Sequence, residues 1–453
     1  MEFHSPPQLC IHLASLAIER CRVATAPCRV SVSLRSLPRS HTFNLPVQVS
    51  ISDTGSRCCI EELQLIRTSF HEKWDGLLYI KTTDRRDQEV FCYLLTSNSA
   101  LSNSILSKLP SIQKNGASFS GSEITLTLSE NTHLLADEMN LFLRKMQILK
   151  ISNVAIEMAV ENDDYSLEKR ESIFINNENG NSNSNLEKLK SGMEEFVTKH
   201  GMSLPETCGN CFADRSNIQV GAGNVRNKAT KKDSILTVDS VVIVTHPRSD
   251  CSSAPRNNKR TEILFFRDFK ISAIPTPSLD DFKSVRWSSF GLHFVGLGPN
   301  NIEWGEMPRG MQIDMVFHCY GGSTGRPRIG RYLVRNALKS ALSNLKMGHV
   351  GMFLSDRVQS TLRYVPELAR SIASLIVSSS DECFRGECLG LLGMGTGTET
   401  GKGTGTELEG VEEFVKEKMV SVLEREDEES TGKCKIGRFL FDDEVRFLDN
   451  GCL

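Results

Sequence analysis

The sequence predicts an α+β chain of two folded domains, and three observations carry that reading. Helical periodicity in residues 8–24 and 133–146 is interleaved with short segments that alternate apolar and polar side chains. An asparagine-rich polar stretch, 162–185, then interrupts the pattern. Strand-like segments return after it and lead into two long one-faced helical segments, 332–346 and one that begins near Pro366. Length agrees, because 453 residues at about 150 per domain suggest two to three domains.

In the first segment His12, Ser15, Glu19 and Arg22 recur at steps of three and four, with Leu9, Leu13, Leu16 and Ile18 on the other faces, so the chain opens with a helix. Cys28–Leu34 and Val47–Ser52 alternate and predict two strands, the second running into the turn residues Asp53, Thr54 and Gly55. Leu77–Thr82 and Glu89–Thr96 predict a hairpin around Asp84–Asp87. Glu123–Leu128 predicts a strand, His133–Met146 a helix with Leu134, Leu135, Met139, Phe142, Leu143 and Met146 in its stripe, and Asn153–Val160 a closing strand. These elements make a first domain over residues 1–160.

Residues 161–234 are expected to be a polar, largely disordered insertion or linker, since such a composition buries too little apolar surface to offset its ordering entropy. A second domain is expected over 235–380. Its strands are predicted at Ile235–Thr245, Glu262–Ile271, Phe290–Gly296 and Met311–Tyr320. Its helices carry the stripes Val334, Leu338, Ala341, Leu345 and Leu368, Ala369, Ile372, Leu375, Ile376. Residues 381–410, which alternate glycine with threonine in Gly393–Gly405, read as a linker, and 411–453 as a short amphipathic helix and tail.

Composition excludes several classes. Lysine plus arginine number 53 against 56 aspartate plus glutamate, a net charge of −3, so any grip on nucleic acid is local and a histone-like binder is ruled out. No stretch approaches the roughly 18 apolar residues of a membrane span, and no membrane partner is expected. The 14 cysteines are scattered singly, which reads as reduced thiols inside a cell. Leu9–Ile18 has the length of a leader's apolar core, yet no lysine or arginine precedes it and His12 and Ser15 interrupt it.

Three catalytic-looking patterns fail on their chemistry. Gly321-Gly322-Ser323-Thr324-Gly325 matches a nucleophile elbow, but His349 is the last histidine and no acid stands between it and Ser323, so the required order of partners is missing. Cys208 and Cys211 supply half of a zinc site without a second close pair. Gly401-Lys402 lacks both the leading glycine and the hydroxyl residue of a phosphate loop.

Three stretches, taken in order, carry a resemblance. Val49-Ser50-Ile51-Ser52-Asp53-Thr54-Gly55 is similar to the Asp-x-Gly-x-Gly box of a GHKL-type ATP-binding fold. Glu123–Leu128, the helix through Leu143 and the strand Ala155–Val160 resemble that fold's closing strand, helix and strand. Arg286-Trp287-Ser288-Ser289-Phe290-Gly291-Leu292, preceded by Phe265-Phe266-Arg267-Asp268-Phe269, resembles a segment of a transducer domain. The order looks like the B subunit of type IIB topoisomerases, over residues 10–160 and 235–380.

An active site of that family needs a glutamate and, four residues on, an asparagine on one helix face. Leu16 and Arg20 stand at those places here, Arg57 replaces the last glycine of the box, and no glycine-rich lid follows. ATP and magnesium are therefore not expected as cofactors; Asp53 and Gly55 would be a remnant nucleotide box, and no catalytic residue and no metal ligand is assigned. Loss of the ATPase with retention of the scaffold resembles the meiotic topoisomerase VIB-like proteins, the plant form above all. The resemblance implies a noncatalytic nuclear subunit that scaffolds topoisomerase VI A-like tyrosine transesterase subunits on double-stranded DNA, with other meiotic break-formation proteins, in a complex whose double-strand breaks initiate recombination. The alternative is an ATP-dependent type IIB subunit with residual nucleotide-driven dimerisation. Within this resemblance Leu368, Ile372, Leu375 and Ile376 are the candidate partner-binding residues. Arg328, Arg331, Arg335 and Lys339, at steps of three, four and four, form a candidate strip for DNA phosphates or an acidic surface.

Overall fold

The computed structural model describes residues 2–37, 46–68, 74–98, 103–161, 169–173, 184–200, 218–227, 235–245, 260–275, 282–285, 287, 292–298, 301–305, 311–321, 332–348, 356–392, 408–423 and 425. The chain divides into two compact units, the first made of residues 1–204, 265–272 and 318–321, the second of the remainder.

In the first unit β1 (Glu2–Phe3) leads into α1 (Pro6–Val23), which opens on two prolines whose fixed φ suits a first helical turn. There follow β2 (Cys28–Ser36), β3 (Pro46–Asp53), α2 (Ile60–Gln64), β4 (Arg67–Thr68), β5 (Leu77–Thr83), β6 (Glu89–Asn98) and β7 (Asn103–Gln113). Then come β8 (Gly121–Ser129), α3 (Thr132–Gln147), β9 (Val154–Glu161), β10 (Lys169–Ile173) and α4 (Asn185–His200). Eight of the strands form one sheet in the order β10-β9-β2-β3-β8-β5-β6-β7. Only the β2–β9 pair among these is parallel.

Period-two alternation gives the sheet one dry face. Val30, Val32 and Leu34 of β2, Val49 and Ile51 of β3, and Ile124, Leu126 and Leu128 of β8 are buried, while Ser31, Ser33, Ser50, Ser52, Thr125 and Thr127 face the other way and are half-buried. α1 and α3 cover the dry face, and α1 is buried on most of its circumference, as an enclosed helix must be. Asn131 caps α3, its side-chain oxygen accepting from the N–H groups of His133 and Leu134 at 2.9 and 3.3 Å, a contact that contributes about 1 kcal/mol.

The strands that follow are β11 (Ile218–Asn227), β12 (Leu236–Thr245), β13 (Arg260–Arg267), β14 (Lys270–Ile271), β15 (Phe294–Leu297), β16 (Asn301–Trp304) and β17 (Gln312–Tyr320), all in the second unit except β14 and the C-terminal ends of β13 and β17, which are counted in the first. The sheet order is β11-β12-β17-β13-β16-β15, with β14 on β13. β12 is buried at all ten residues, its apolar Leu236, Val238 and Val241–Val244 together with the polar Thr237, Asp239, Ser240 and Thr245. Helix α5 (Leu333–Gly348) packs on β11 and β12 through Val334, Ala337, Leu338, Ala341 and Leu345. Gly221 and Gly223 let it approach: a Cβ on Gly221 would stand 2.2 Å from the Ala341 carbonyl oxygen, and one on Gly223 2.4 Å from the Ala341 nitrogen. Trp287 belongs to the core, its ring meeting Trp304 edge-on at 5.1 Å and its N–H donating to the Phe282 carbonyl at 2.8 Å. After α6 (Asp356–Leu362), helices α7 (Val365–Ser378), α8 (Glu382–Leu392) and α9 (408–423) close on a small core of Ala369, Ala373, Ile376, Val411 and Val415.

The α+β class expected from sequence is the observed one, and several local expectations are corrected. Residues 161–234 contain described structure: α4, with Leu189, Met193 and Val197 buried at steps of four, and the strands β10 and β11. Residues 382–392, expected within a linker, are helical because Cys388, Leu389 and Leu392 reach the small C-terminal core. Glu262–Ile271 is two strands, turned by Asp268 and Phe269, whose φ of 47° and 64° place both in the left-handed region without a glycine. β7, a long edge strand, was not expected; its Pro110 is tolerated in an edge position. The Gly393–Gly405 repeat, the Cys208/Cys211 pair, Ser323 and Gly401-Lys402 lie outside the described residues.

Replacing Gly221 or Gly223 with alanine should cost about 1–3 kcal/mol through overpacking against α5. Gly348→Ala, where an added Cβ meets nothing within 4 Å, should stay within about 0.5 kcal/mol of the parent, both read by urea unfolding. A pH dependence follows from Asp314 on β17. Burial pushes its carboxyl up to about 7, the Gln312 side-chain N–H at 3.0 Å pulls it down and Glu262 adds to the rise. An aspartate whose value is raised on folding holds its proton more tightly in the folded chain, so its stabilising contribution is full below the ordinary value of 3.8 and is lost as pH climbs through about 7. Thermal unfolding across that window should show the loss, and Asp314→Asn should flatten it.

Candidate functional site

The inward alternation of β3 runs Val47, Val49, Ile51, Asp53, so its last inward position delivers a carboxylate to the side on which α1 lies. Arg20, in the last turn of α1, meets it. The Arg20 Nε and Nη2 groups donate to Asp53 Oδ2 at 3.0 and 2.6 Å, and the Gly55 backbone N–H donates to Oδ1 at 3.0 Å. The Asp53 side chain is 0% exposed and that of Arg20 10%. Burial pushes the Asp53 carboxyl above the ordinary aspartate range, against the opposing pull of Arg20 and of the Gly55 N–H. For Arg20 burial acts downward, and the attraction of Asp53 leaves its value raised. Burial favours a neutral acid, and the two-pronged contact with the single Arg20 guanidinium, at 3.0 and 2.6 Å, favours the ion.

Gly55 is needed for this contact. A Cβ there would lie 2.6 Å from the Arg20 carbonyl carbon and 2.7 Å from the Cys21 nitrogen, so only glycine lets the turn after β3 touch the α1 backbone. Behind the pair the Cys58 N–H donates to Thr82 Oγ1 at 2.9 Å, and Thr82 and Ser122 share a hydroxyl hydrogen bond of 2.8 Å. The buried polar groups around Asp53 thus satisfy one another. Leu16, at the place where an activating glutamate would stand, is 7% exposed and carries no acid or base. Among the described residues no group of three or more His, Cys, Asp or Glu side chains is placed to hold a metal ion. The role of Arg20 was not visible in the sequence; its spacing from Leu16 was, but nothing marked it as the partner of a residue 33 positions away.

The candidate partner stripe is divided by the structure. Leu368, Ile372 and Leu375 are 47, 37 and 62% exposed on α7, and Tyr364, at 63%, extends the row by one turn. Ile376 is corrected: at 4% exposure it lies in the core with Val411 and Val415, since α9 covers that side of α7. Of the basic strip, Arg328 and Arg331 lie outside the described residues. Arg335 is half-buried, donates to Ser284 Oγ at 3.1 Å and sits 4.8 Å over the Tyr332 ring, while Lys339 is exposed.

Removing one member of a buried ion pair strands the other. Arg20→Met should destabilise the first unit by about 3–5 kcal/mol, and adding Asp53→Leu should recover most of that, as a double-mutant cycle in urea would read.

Two sequence-family models match the chain. The MTOPVIB middle domain model matches residues 186–349, and the meiotic topoisomerase VIB-like C-terminal domain model matches residues 357–428. A comparison with curated proteins gave no match. Among solved structures the chain is similar to the 43K ATPase domain of Thermus thermophilus gyrase B, at 10% identity, covering 80% of this chain and 86% of that one with a TM-score of 0.34. The topoisomerase IV ATP-binding domain of Francisella tularensis matches at 7% identity, 76% and 86% coverage and TM-score 0.34. The gyrase B subunit of Myxococcus xanthus matches at 10% identity, 73% and 87% coverage and TM-score 0.33. These structural likenesses are weak, whereas the two sequence models run almost end to end from α4 into α9 and together take in just over half of the residues. By those two matches the chain belongs to the meiotic topoisomerase VIB-like family.

Proposed function

We propose that this chain is a noncatalytic B-type subunit of a topoisomerase VI-like complex, which holds tyrosine transesterase A-type subunits in the nucleus while they make the double-strand breaks that initiate meiotic recombination. Family membership supports the setting. The observation that carries the noncatalytic part is the Arg20–Asp53 pair, because the acid of the remnant nucleotide box is already taken by a side chain of the same unit. In this reading the first unit is a GHKL-type scaffold kept for its shape, the chemistry of strand cleavage belongs to the partner's tyrosine, and double-stranded DNA and other break-formation proteins are further members of the assembly. Asp53 and Gly55 then serve packing, and neither ATP nor magnesium takes part.

The partner surface is assigned to Tyr364, Leu368, Ile372 and Leu375. They lie at steps of four, four and three along α7, which is the spacing by which a helix presents anchors to a groove or to a second helix. Their rigid backing is the core of Ala369, Ala373 and Ile376 on the opposite side of the same helix. Lys339 remains available on α5 for an acidic surface or DNA, and Arg328 and Arg331 keep the status they have from sequence.

Co-expression with the tyrosine transesterase subunit tests the assignment. The full chain should co-purify with it, and Leu368→Glu combined with Leu375→Glu should reduce recovery at least about tenfold, as expected when two interface anchors of 1 kcal/mol or more are lost. Unchanged recovery would remove α7 from the interface; failure of the parent chain to co-purify would remove the proposed role itself.

A further inference from the structure

Arg57 and Lys108 come from separate elements of the first unit and meet over one ring. Arg57 lies in the loop before α2, and Lys108 lies on β7 opposite Tyr93 of β6. The Arg57 guanidinium carbon stands 4.8 Å and the Lys108 Nζ 5.6 Å from the centroid of the Phe91 ring, and Arg57 Nη2 donates to Tyr93 Oη at 3.5 Å. Both cations are exposed and both rings half-buried. Sharing one centroid at those distances places the two charges within about 10 Å of each other, a Debye length at 0.1 M salt.

Among the described residues neither cation makes an ion pair within 4.0 Å. Two carboxylates feel them at longer range, Glu61 the charge of Arg57 and Glu89 that of Lys108, while Glu89 accepts from Ser111 Oγ at 2.7 Å and from Gln113, and Glu61 accepts from Cys59 Sγ at 3.4 Å. Two like charges kept side by side on an aromatic base, offset by Glu61 and Glu89 only at longer range than a direct ion pair, repel each other, and a chain of anions passing over the ring relieves that repulsion. With one phosphate per about 3.4 Å of rise along a DNA strand, a span of about 10 Å takes two or three successive phosphates. The overall charge of −3 requires any such contact to be local, as this one is.

We propose that Arg57 and Lys108, mounted on Phe91 and Tyr93, form a contact site for the phosphodiester backbone of DNA on the first unit. The choice of DNA over other polyanions rests on the function proposed above; the existence of an anion contact does not. The aromatic base fixes the two cations in place, so less side-chain entropy is lost when the backbone docks than at free surface lysines.

Fluorescence anisotropy with the full chain tests it, using labelled 30-mers of duplex and of single-stranded DNA between 50 and 200 mM salt, with inorganic polyphosphate as a competitor. Arg57→Glu and Lys108→Glu should each weaken DNA binding at 50 mM salt by at least about threefold and lower the slope of log K against log salt by about 0.9 on duplex or about 0.7 on single strands. Whichever form shows the larger loss identifies the ligand. Lys418→Glu on α9 should change neither quantity. The proposal is overturned if the parent does not bind DNA at 50 mM salt, if both reversals keep the parent slope, if Lys418→Glu loses as much, or if only polyphosphate binding responds. Arg57→Gln and Lys108→Gln, with unchanged thermal unfolding, replace any reversal that fails to fold. The double variant should still co-purify with the transesterase, so loss of the DNA effect with retention of co-purification removes this site and leaves the proposed function standing.

Discussion

Charge burial is the constraint from which the first unit's central geometry follows. An aspartate with no exposure and an arginine with almost none are tolerable inside a core only when each satisfies the other, and that demand fixes three things together. β3 must end on an inward residue, α1 must run long enough to bring Arg20 over it, and the turn between must carry a residue without a side chain so that the backbones touch at Gly55. Once these are met, Asp53 has two N–H donors from one guanidinium and a backbone donor, and a visiting ligand would have to displace a side chain of the unit itself. A noncatalytic reading therefore rests on what fills the site as well as on the residues that are missing from it.

The C-terminal helices show the complementary logic. α7 turns its small residues, Ala369 and Ala373, toward α9, where close approach and the short side chains Val411 and Val415 make a compact core. Its large residues, Leu368 and Leu375, are left outside. A helix packed only for its own stability would place them the other way round, since burying a leucine contributes about 1.5–3 kcal/mol. The exposed row is thus intelligible as a surface kept for another chain, and the family match over 357–428 covers the segment that carries it.

Much of this was legible in the sequence wherever one face is wet and the other dry. β2, β3 and β8 alternate cleanly, and α3 and α5 keep their stripes, so each was found within a few residues of its observed ends. α4 was missed because the asparagine run before it dominates the composition, although Leu189, Met193 and Val197 carry a helical period. β7 was missed because Pro110 speaks against a strand, and only its position at the sheet's edge removes the objection. The turn at Asp268 and Phe269 has no glycine to announce it. At the site, Asp53 and Gly55 were legible as a turn, whereas the pairing with Arg20 is a tertiary fact that no local pattern encodes. Ile376 teaches the same lesson: a stripe shows that a helix has an apolar side, and only the packing shows which part of it is covered.

The measurement that bears most directly on this account is isothermal titration of the full chain with a nonhydrolysable ATP analogue and magnesium, beside the same titration of Arg20→Ala. With Asp53 held by Arg20, the parent should give no binding heat up to millimolar nucleotide. Micromolar, magnesium-dependent binding by the parent would show that the buried pair opens for a ligand, and the chain would then be a nucleotide-driven subunit.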